Sequence, residues 1–447
     1  MFSVTSLGFL PFMALFVCLW YRVPQPSRWK LVLAANAVFC LSIDIGAFFA
    51  VALATAVVWQ AAQHAQPEQP SRRGWLALGL AAALLPLLVL KYSGMLVPGL
   101  RDLYKPFGLA YYSLQLAGYL LDVWHGRTAP TPSYARLWCY AGFFLSLTQG
   151  PFNRYNTLMP QLEAAPKTFE TQRLVGGLQR SAWGYFKKFA IADRAAIVVS
   201  AAFADPASFD RSQLIFATVM YSFQLYADFS GYTDIVLGMG EILGLHLPEN
   251  FRQPFFSASV KELWARWHIS LSQWFRDYVY IPLGGNRKGL KRQILNLFIV
   301  ELLTGIWHGA NWNFICWGLY YFVLLAAEKL FLLPYLKKGR VWPHLYTLFL
   351  VVVGWAMFVG NDTGVSFGLL FQKLFIPSGG VSPLYFLRNY GVLLAVSVVC
   401  CTPLIEKLWD VLRKNAVTRC AAILTLLVVS TAYVVGSTNS PFLYFNF

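Results

Sequence analysis

His308 stands in TGIWHGANWNFICWGLYYF, residues 304–322, inside a long apolar stretch and beside Trp307, Gly309, Ala310 and Trp312. An ionisable side chain at membrane depth is costly and marks a functional site by default. Imidazole has an ordinary pKa near 6.5, and apolar burial favours its neutral form, which can take a proton. Gly305 and Gly309 permit a close backbone approach or a helix break through which a substrate could reach the ring. From these surroundings alone the residue reads equally as a proton-transfer group or as a structural histidine bonded across helices.

A second histidine, His268, lies in PENFRQPFFSASVKELWARWHISLSQWFRDYVYIPLGGNRKG, residues 248–289. Ser257 and Ser259 can cap a helix opening near Val260, with Glu262 in its first turn and Pro282 and Gly284-Gly285 at its end. Along one such helix Trp264, Trp267, His268, Leu271, Trp274 and Tyr278 recur at steps of three and four, an aromatic face. Periodicity alone favours an amphipathic helix at headgroup level, with Trp and Tyr as anchors. A third polar set falls in residues 221–244: Gln224, Asp228, Ser230, Thr233, Asp234 and Glu241. Asp228 and Asp234 do not share a face of a continuous helix, although Ser230-Gly231 offers a break. They would line a polar path or bond neighbouring helices. His64, His125, His246 and His344 sit at segment ends and read as interface residues.

These groups need elements to hold them, and composition says which. Of the 447 residues 57% are hydrophobic and only 13% charged, with a mean hydropathy of +0.52. A soluble domain carries about twice that share of charge. The chain is therefore expected to be all-α and polytopic, one continuous bundle across 1–447 with lipid as its main solvent. The net charge of +16 raises nucleic acid as a partner, yet Lys and Arg fall in short clusters between apolar runs, as juxtamembrane anchors do. No nucleic-acid partner is expected. The seven cysteines lack CxxC spacing and read as small core hydrophobes, with no metal site.

Apolar runs extend from 4–21, read as a retained first span, to 420–436, and predict about eleven crossings. Several are too short to cross alone, which predicts tilted, broken or re-entrant helices buried within protein. Basic residues place 22–30, 63–74 and 405–419 in the cytoplasm and the N-terminus outside. No internal repeat supports a transporter built on inverted halves.

At this point the sequence resembles the membrane-bound O-acyltransferases, in the bacterial branch that serves alginate O-acetylation, peptidoglycan O-acetylation and D-alanylation of teichoic acids. The resemblance rests on residues 224–289, from QLYADFSGYTDIV to IPLGGNRKG, and on WHGANWNFICWGLYY at 307–321, with weaker likeness at 106–126, 149–162 and 184–194. PLGGNR, Pro282 to Arg287, is closer to the polysaccharide-acetylating branch. TQGPFNRY departs from the usual pattern, and the first hundred residues carry little of it.

The resemblance implies a ring of tilted helices, with re-entrant and interfacial ones, around a central funnel or tunnel. His308 takes the position of the family's catalytic histidine, and His268 that of its second recurrent histidine. Asp228, Trp267, Trp307 and Asn311 are the candidates to line the tunnel. The tail SPFLYFNF, 440–447, is similar to aromatic tails in the same systems, so Tyr444 is either an acyl relay or an anchor. The implied activity is O-acetyl transfer in a bacterial cytoplasmic membrane. The donor would be a cytoplasmic thioester, acetyl-coenzyme A, with no permanently bound cofactor, and the acceptor a secreted or surface glycan. No polar domain long enough to house a soluble serine hydrolase is visible, so an extracellular transferase would complete the delivery. The Lys187, Lys188, Arg287 and Lys288 clusters would attract the anionic coenzyme or simply set topology. D-alanyl transfer to teichoic acid and a non-catalytic polymer exporter are the competing readings.

Overall fold

A computed structural model describes residues 4–435 apart from 7, 101–102, 207–208, 364–367, 369–370 and 374–382. The described elements are helical: α1 (Phe9–Trp20), α2 (Arg28–Ile43), α3 (Ile45–His64), α4 (Arg72–Leu96), α5 (Leu109–Trp124), α6 (Tyr134–Ala141), α7 (Tyr155–Ala164), α8 (Thr171–Phe186), α9 (Asp193–Ala204), α10 (Arg211–Ile242), α11 (Val260–Arg266), α12 (Ile269–Phe275), α13 (Gly289–His308), α14 (Trp312–Ala327), α15 (Leu333–Leu336) and α16 (Trp342–Thr363). Helices Pro383–Cys400, Leu404–Leu412 and Ala416–Val435 follow. Among the described residues five helices are long and apolar enough to cross a membrane, or six if the bent pair Leu384–Cys400 and Leu404–Leu412 is one span. The expected eleven are not all of this kind. Helices α10 and α13 carry charged residues, Asp228, Asp234 and Glu301 among them, that a lipid-facing helix would not keep.

The described residues form two compact units, one within 4–181 and 232–249, the other within 182–231 and 250–435. In the first, the helices are tied by side chains reaching backbone ends. Trp20 donates from Nε1 to the Leu243 carbonyl at 3.0 Å, and Arg28 donates to the carbonyls of Ala165 and Pro166. Asn36 spans α2 and α6, donating to the Cys139 carbonyl and accepting from the Phe144 N–H, both at 2.9 Å. These bonds satisfy helix-end groups for which lipid has no donor or acceptor.

In the second unit α13 and α14 run antiparallel, with Gly305 against the Phe314 backbone and Gly318 against that of Glu301. A Cβ at Gly305 would lie 2.5 Å from the Phe314 carbonyl oxygen, so only glycine allows this approach. Ser230-Gly231 does not break α10. Gly231 instead meets the Gly184 carbonyl, which a Cβ would approach to 2.9 Å.

The helix expected over 260–280 is divided. Its start is as anticipated: Ser259 Oγ accepts from the Glu262 N–H, and Glu262 accepts from the Ala258 N–H. The helix then stops at Arg266, restarts at Ile269 and ends in a wider turn over 276–280. The cause is the segment 250–252, which forms an antiparallel bridge with the break: the Arg252 N–H donates to the Arg266 carbonyl and the Ile269 N–H to that of Asn250. Asn250 Oδ1 also accepts from the Ser270 N–H and hydroxyl, at 3.1 and 2.6 Å. His268 takes up the reversal in a left-handed conformation, φ 43°. Such a conformation costs a non-glycine residue about 1 kcal/mol or more, and it persists where surrounding contacts enforce it.

Two outcomes follow for thermal unfolding of the purified protein in detergent. Gly305→Ala should lose about 1–3 kcal/mol through overpacking, whereas Gly391→Ala, with open space around it, should lose nothing. Asn250→Ala should cost about 1–3 kcal/mol by stranding the buried Ser270 donors, and equal melting of variant and wild type would contradict the bridge.

Candidate active site

The second unit contains a cavity of about 420 Å³, and both histidines lie on its wall. Helix α13 contributes Leu297, Val300, Glu301, Thr304 and His308, a stripe at helical spacing. The broken segment contributes Trp264, Trp267, His268 and Leu271, and α14 with its following turn adds Leu325, Glu328 and Lys329. The wall thus runs from exposed Lys261, Arg276 and Asn286 to buried His308.

His308 is the last residue of α13 and is 6% exposed. Its ring stands among the rings of Trp307, Trp317 and Phe358, with centroids 4.9, 5.1 and 5.4 Å away. Gly309 next to it leaves room for the Phe314 ring, which a Cβ would meet at 2.4 Å. His268 is 3% exposed and meets Phe229 edge to face at 4.8 Å. Its Nδ1 lies 3.4 Å from Asn250 Oδ1. It sits in the helix break, outside the candidate spans, and burial pushes its pKa down to about 3, so the ring is neutral at any working pH. Trp307 joins the two, with its ring 6.0 Å from that of His268.

The other expected tunnel residues separate. Trp267 is on the cavity wall. Trp307 packs between the histidines rather than on the wall described. Asn311 is exposed and caps α14, accepting from the Asn313 N–H at 3.1 Å. Asp228 is bonded to Lys188, whose Nζ lies 2.8 Å from both Asp228 and Asp193. Its sequence neighbour Asp234 belongs to the first unit and pairs with Arg180, which also grips Glu249 with two bonds of 2.7 and 2.6 Å. Lys187 and Lys188 are both buried, and Lys187 donates to Ser230 at 2.8 Å. Tyr444 lies outside the described residues.

Three cavity groups escaped the sequence reading. Glu301 precedes His308 by seven residues, two turns on one face, a spacing that could have revealed it. Glu328 accepts from the N–H groups of Val260 and Lys261, at 2.7 and 3.0 Å, and so caps α11 from 68 and 67 residues away. No sequence pattern carries that pairing, nor the arrival of Lys329 beside it. Arg276 is paired with Asp277 at 2.8 Å. Among the described residues no three His, Cys, Asp or Glu side chains converge as a metal-binding group.

The arrangement is an apolar chamber with one deeply placed imidazole, a second neutral imidazole and a few charged groups toward its far end. It can hold an extended, partly apolar substrate and remove a proton at one point. Comparison with known proteins agrees with that chemistry. The sequence profile of MBOAT, the membrane-bound O-acyltransferase family, matches residues 92–366. A probable alginate O-acetylase AlgI of Azotobacter vinelandii is 34% identical over 375 residues, 79% of this chain and 74% of the relative. A peptidoglycan O-acetyltransferase of Helicobacter pylori is 32% identical over 60% of this chain and 57% of its own length. A teichoic acid D-alanyltransferase of Bacillus subtilis is 28% identical over 63% of this chain and 75% of its own length. With a profile match across more than half its length and such relatives, this multi-pass membrane protein belongs to the membrane-bound O-acyltransferase family and is an O-acyltransferase.

Proposed function

We propose that the protein moves an acetyl group from a cytoplasmic thioester, acetyl-coenzyme A, across the bacterial cytoplasmic membrane toward hydroxyls of a secreted or surface polysaccharide, with His308 as the general base. One observation carries this reading: the histidine suggested by the WHG motif stands on the wall of a cavity that His268 shares. The relatives named for alginate and peptidoglycan O-acetylation match at 34% and 32%, above the 28% of the D-alanyl relative, and favour acetyl over D-alanyl. A separate extracellular transferase completes delivery to the glycan.

In this mechanism an imidazole nitrogen of His308 takes the proton of the accepting hydroxyl as its oxygen attacks the thioester carbonyl carbon. A C–O bond forms, a tetrahedral oxyanion collapses and the C–S bond breaks. The imidazolium then returns the proton to the departing thiolate. The ring, set among Trp317, Phe314 and Phe358, acts from its neutral form, the form that can take a proton. His268, held by its packing against Phe229 and Trp307, shapes the chamber and takes no proton.

Purified protein supplied with radiolabelled acetyl-coenzyme A should transfer or release label, and His308→Ala should lower the rate about 10²- to 10⁴-fold. Unchanged label transfer in that variant would remove His308 from the mechanism. Passage of polymer with no thioester chemistry in the wild type would favour an exporter. The rate–pH profile separates the two histidines. His268 does not titrate near neutrality, so the acid-side inflection should persist in His268→Gln; its disappearance there would reverse the assignment.

A further inference from the structure

Glu301 is a carboxyl group on the wall of the cavity, only 8% exposed. Among the described residues no hydrogen bond or ion pair satisfies it. An acidic group held in apolar surroundings without a protein partner is costly, by several kcal/mol if ionised, and it is tolerated where a ligand brings the missing donor. It lies on the same face of α13 as His308, seven residues earlier and so about 10 Å along the helix axis. The antiparallel register of α13 and α14 sets Glu301 against Gly318 and carries Lys329 toward the end of α13 remote from His308. Lys261 joins Lys329 there, one residue from the α11 cap that Glu328 provides, and neither lysine has an ion pair among the described residues. Along the cavity the order is therefore imidazole, carboxyl, then two cations.

We propose that Glu301 is a donor-binding residue that accepts a hydrogen bond from an amide N–H of a pantetheine-type thioester arm, while Lys261 and Lys329 face the arm's phosphate end. This rests on the thioester reading above. With the thioester carbonyl at His308, the arm lies along the α13 stripe, where its apolar methylenes meet Leu297, Val300 and Leu325 and its amides pass the carboxyl. Coenzyme A and an acyl carrier protein present the same arm.

The test compares wild type, Glu301→Gln and Glu301→Ala on acetyl-coenzyme A, on S-acetyl-N-acetylcysteamine and on S-acetyl mercaptoethanol, which has no amide. The quantity read is kcat/KM for the amide-bearing thioesters divided by that for the amide-free one. In Glu301→Ala this ratio should fall about tenfold, the value of one hydrogen bond to a buried group, and Glu301→Gln should recover part of it through its carbonyl. An unchanged ratio in both variants overturns the contact even where absolute rates fall, since a purely structural role moves both substrates together. A wild type that turns over none of the three thioesters instead overturns the donor reading, and this contact with it. If Glu301→Ala does not fold, the Gln variant carries the comparison alone. Acetylated carrier protein is assayed beside acetyl-coenzyme A, and the one of the two whose kcat/KM falls in Glu301→Ala identifies the source of the arm.

Discussion

A helix can break inside a membrane protein only if the backbone groups it releases find new partners, because lipid supplies none. Here the partners come from residues 250–252, whose bridge with 266–269 takes up the Arg266 carbonyl and the Ile269 N–H. The Asn250 side chain then holds Ser270 at the start of the next helix. A continuous helix would carry Trp267 and His268 at fixed angles on a narrow stripe. The break frees their orientation, and both become part of a cavity wall.

The opposite wall depends on closeness rather than on a break. Gly305, Gly309 and Gly318 let α13 approach α14 and the Phe314 ring more nearly than any side chain would allow. That approach sets His308 among Trp317, Phe314 and Phe358 with little freedom to turn. In the proposed mechanism a base fixed in this way would lose little conformational entropy when a hydroxyl arrives. The aromatic packing and the glycine contacts are thus two parts of one device for placing a single ring.

Buried charge serves two ends in this protein. In the second unit Lys188 satisfies Asp193 and Asp228 together, and in the first Arg180 satisfies Asp234 and Glu249. Those groups are neutralised by protein, and removal of one partner would strand the other. The cavity groups are arranged differently. Glu328 spends its oxygens on the α11 N-terminus, while Glu301, Lys261 and Lys329 remain directed to whatever fills the chamber.

Read without coordinates, the sequence already determined the solvent, the helical class, the Ser259 cap and the two histidines worth attention. Each of these is local: hydropathy accumulates along a run, a cap lies within one turn of its helix, and an imidazole in an apolar stretch is conspicuous wherever it falls. The periodicity of Trp264, Trp267, His268 and Leu271 was equally local, and it suggested one unbroken amphipathic helix where there are two. What overrode it was Asn250, 18 residues from His268, and no helical pattern encodes a partner at that distance. The same holds for Glu328, for the assignment of Asp228 to Lys188, and for the two units into which the chain divides. Only the folded chain decided which buried acids were already satisfied and which, like Glu301, still faced a cavity, because that depends on which side chains distant helices bring within hydrogen-bond reach.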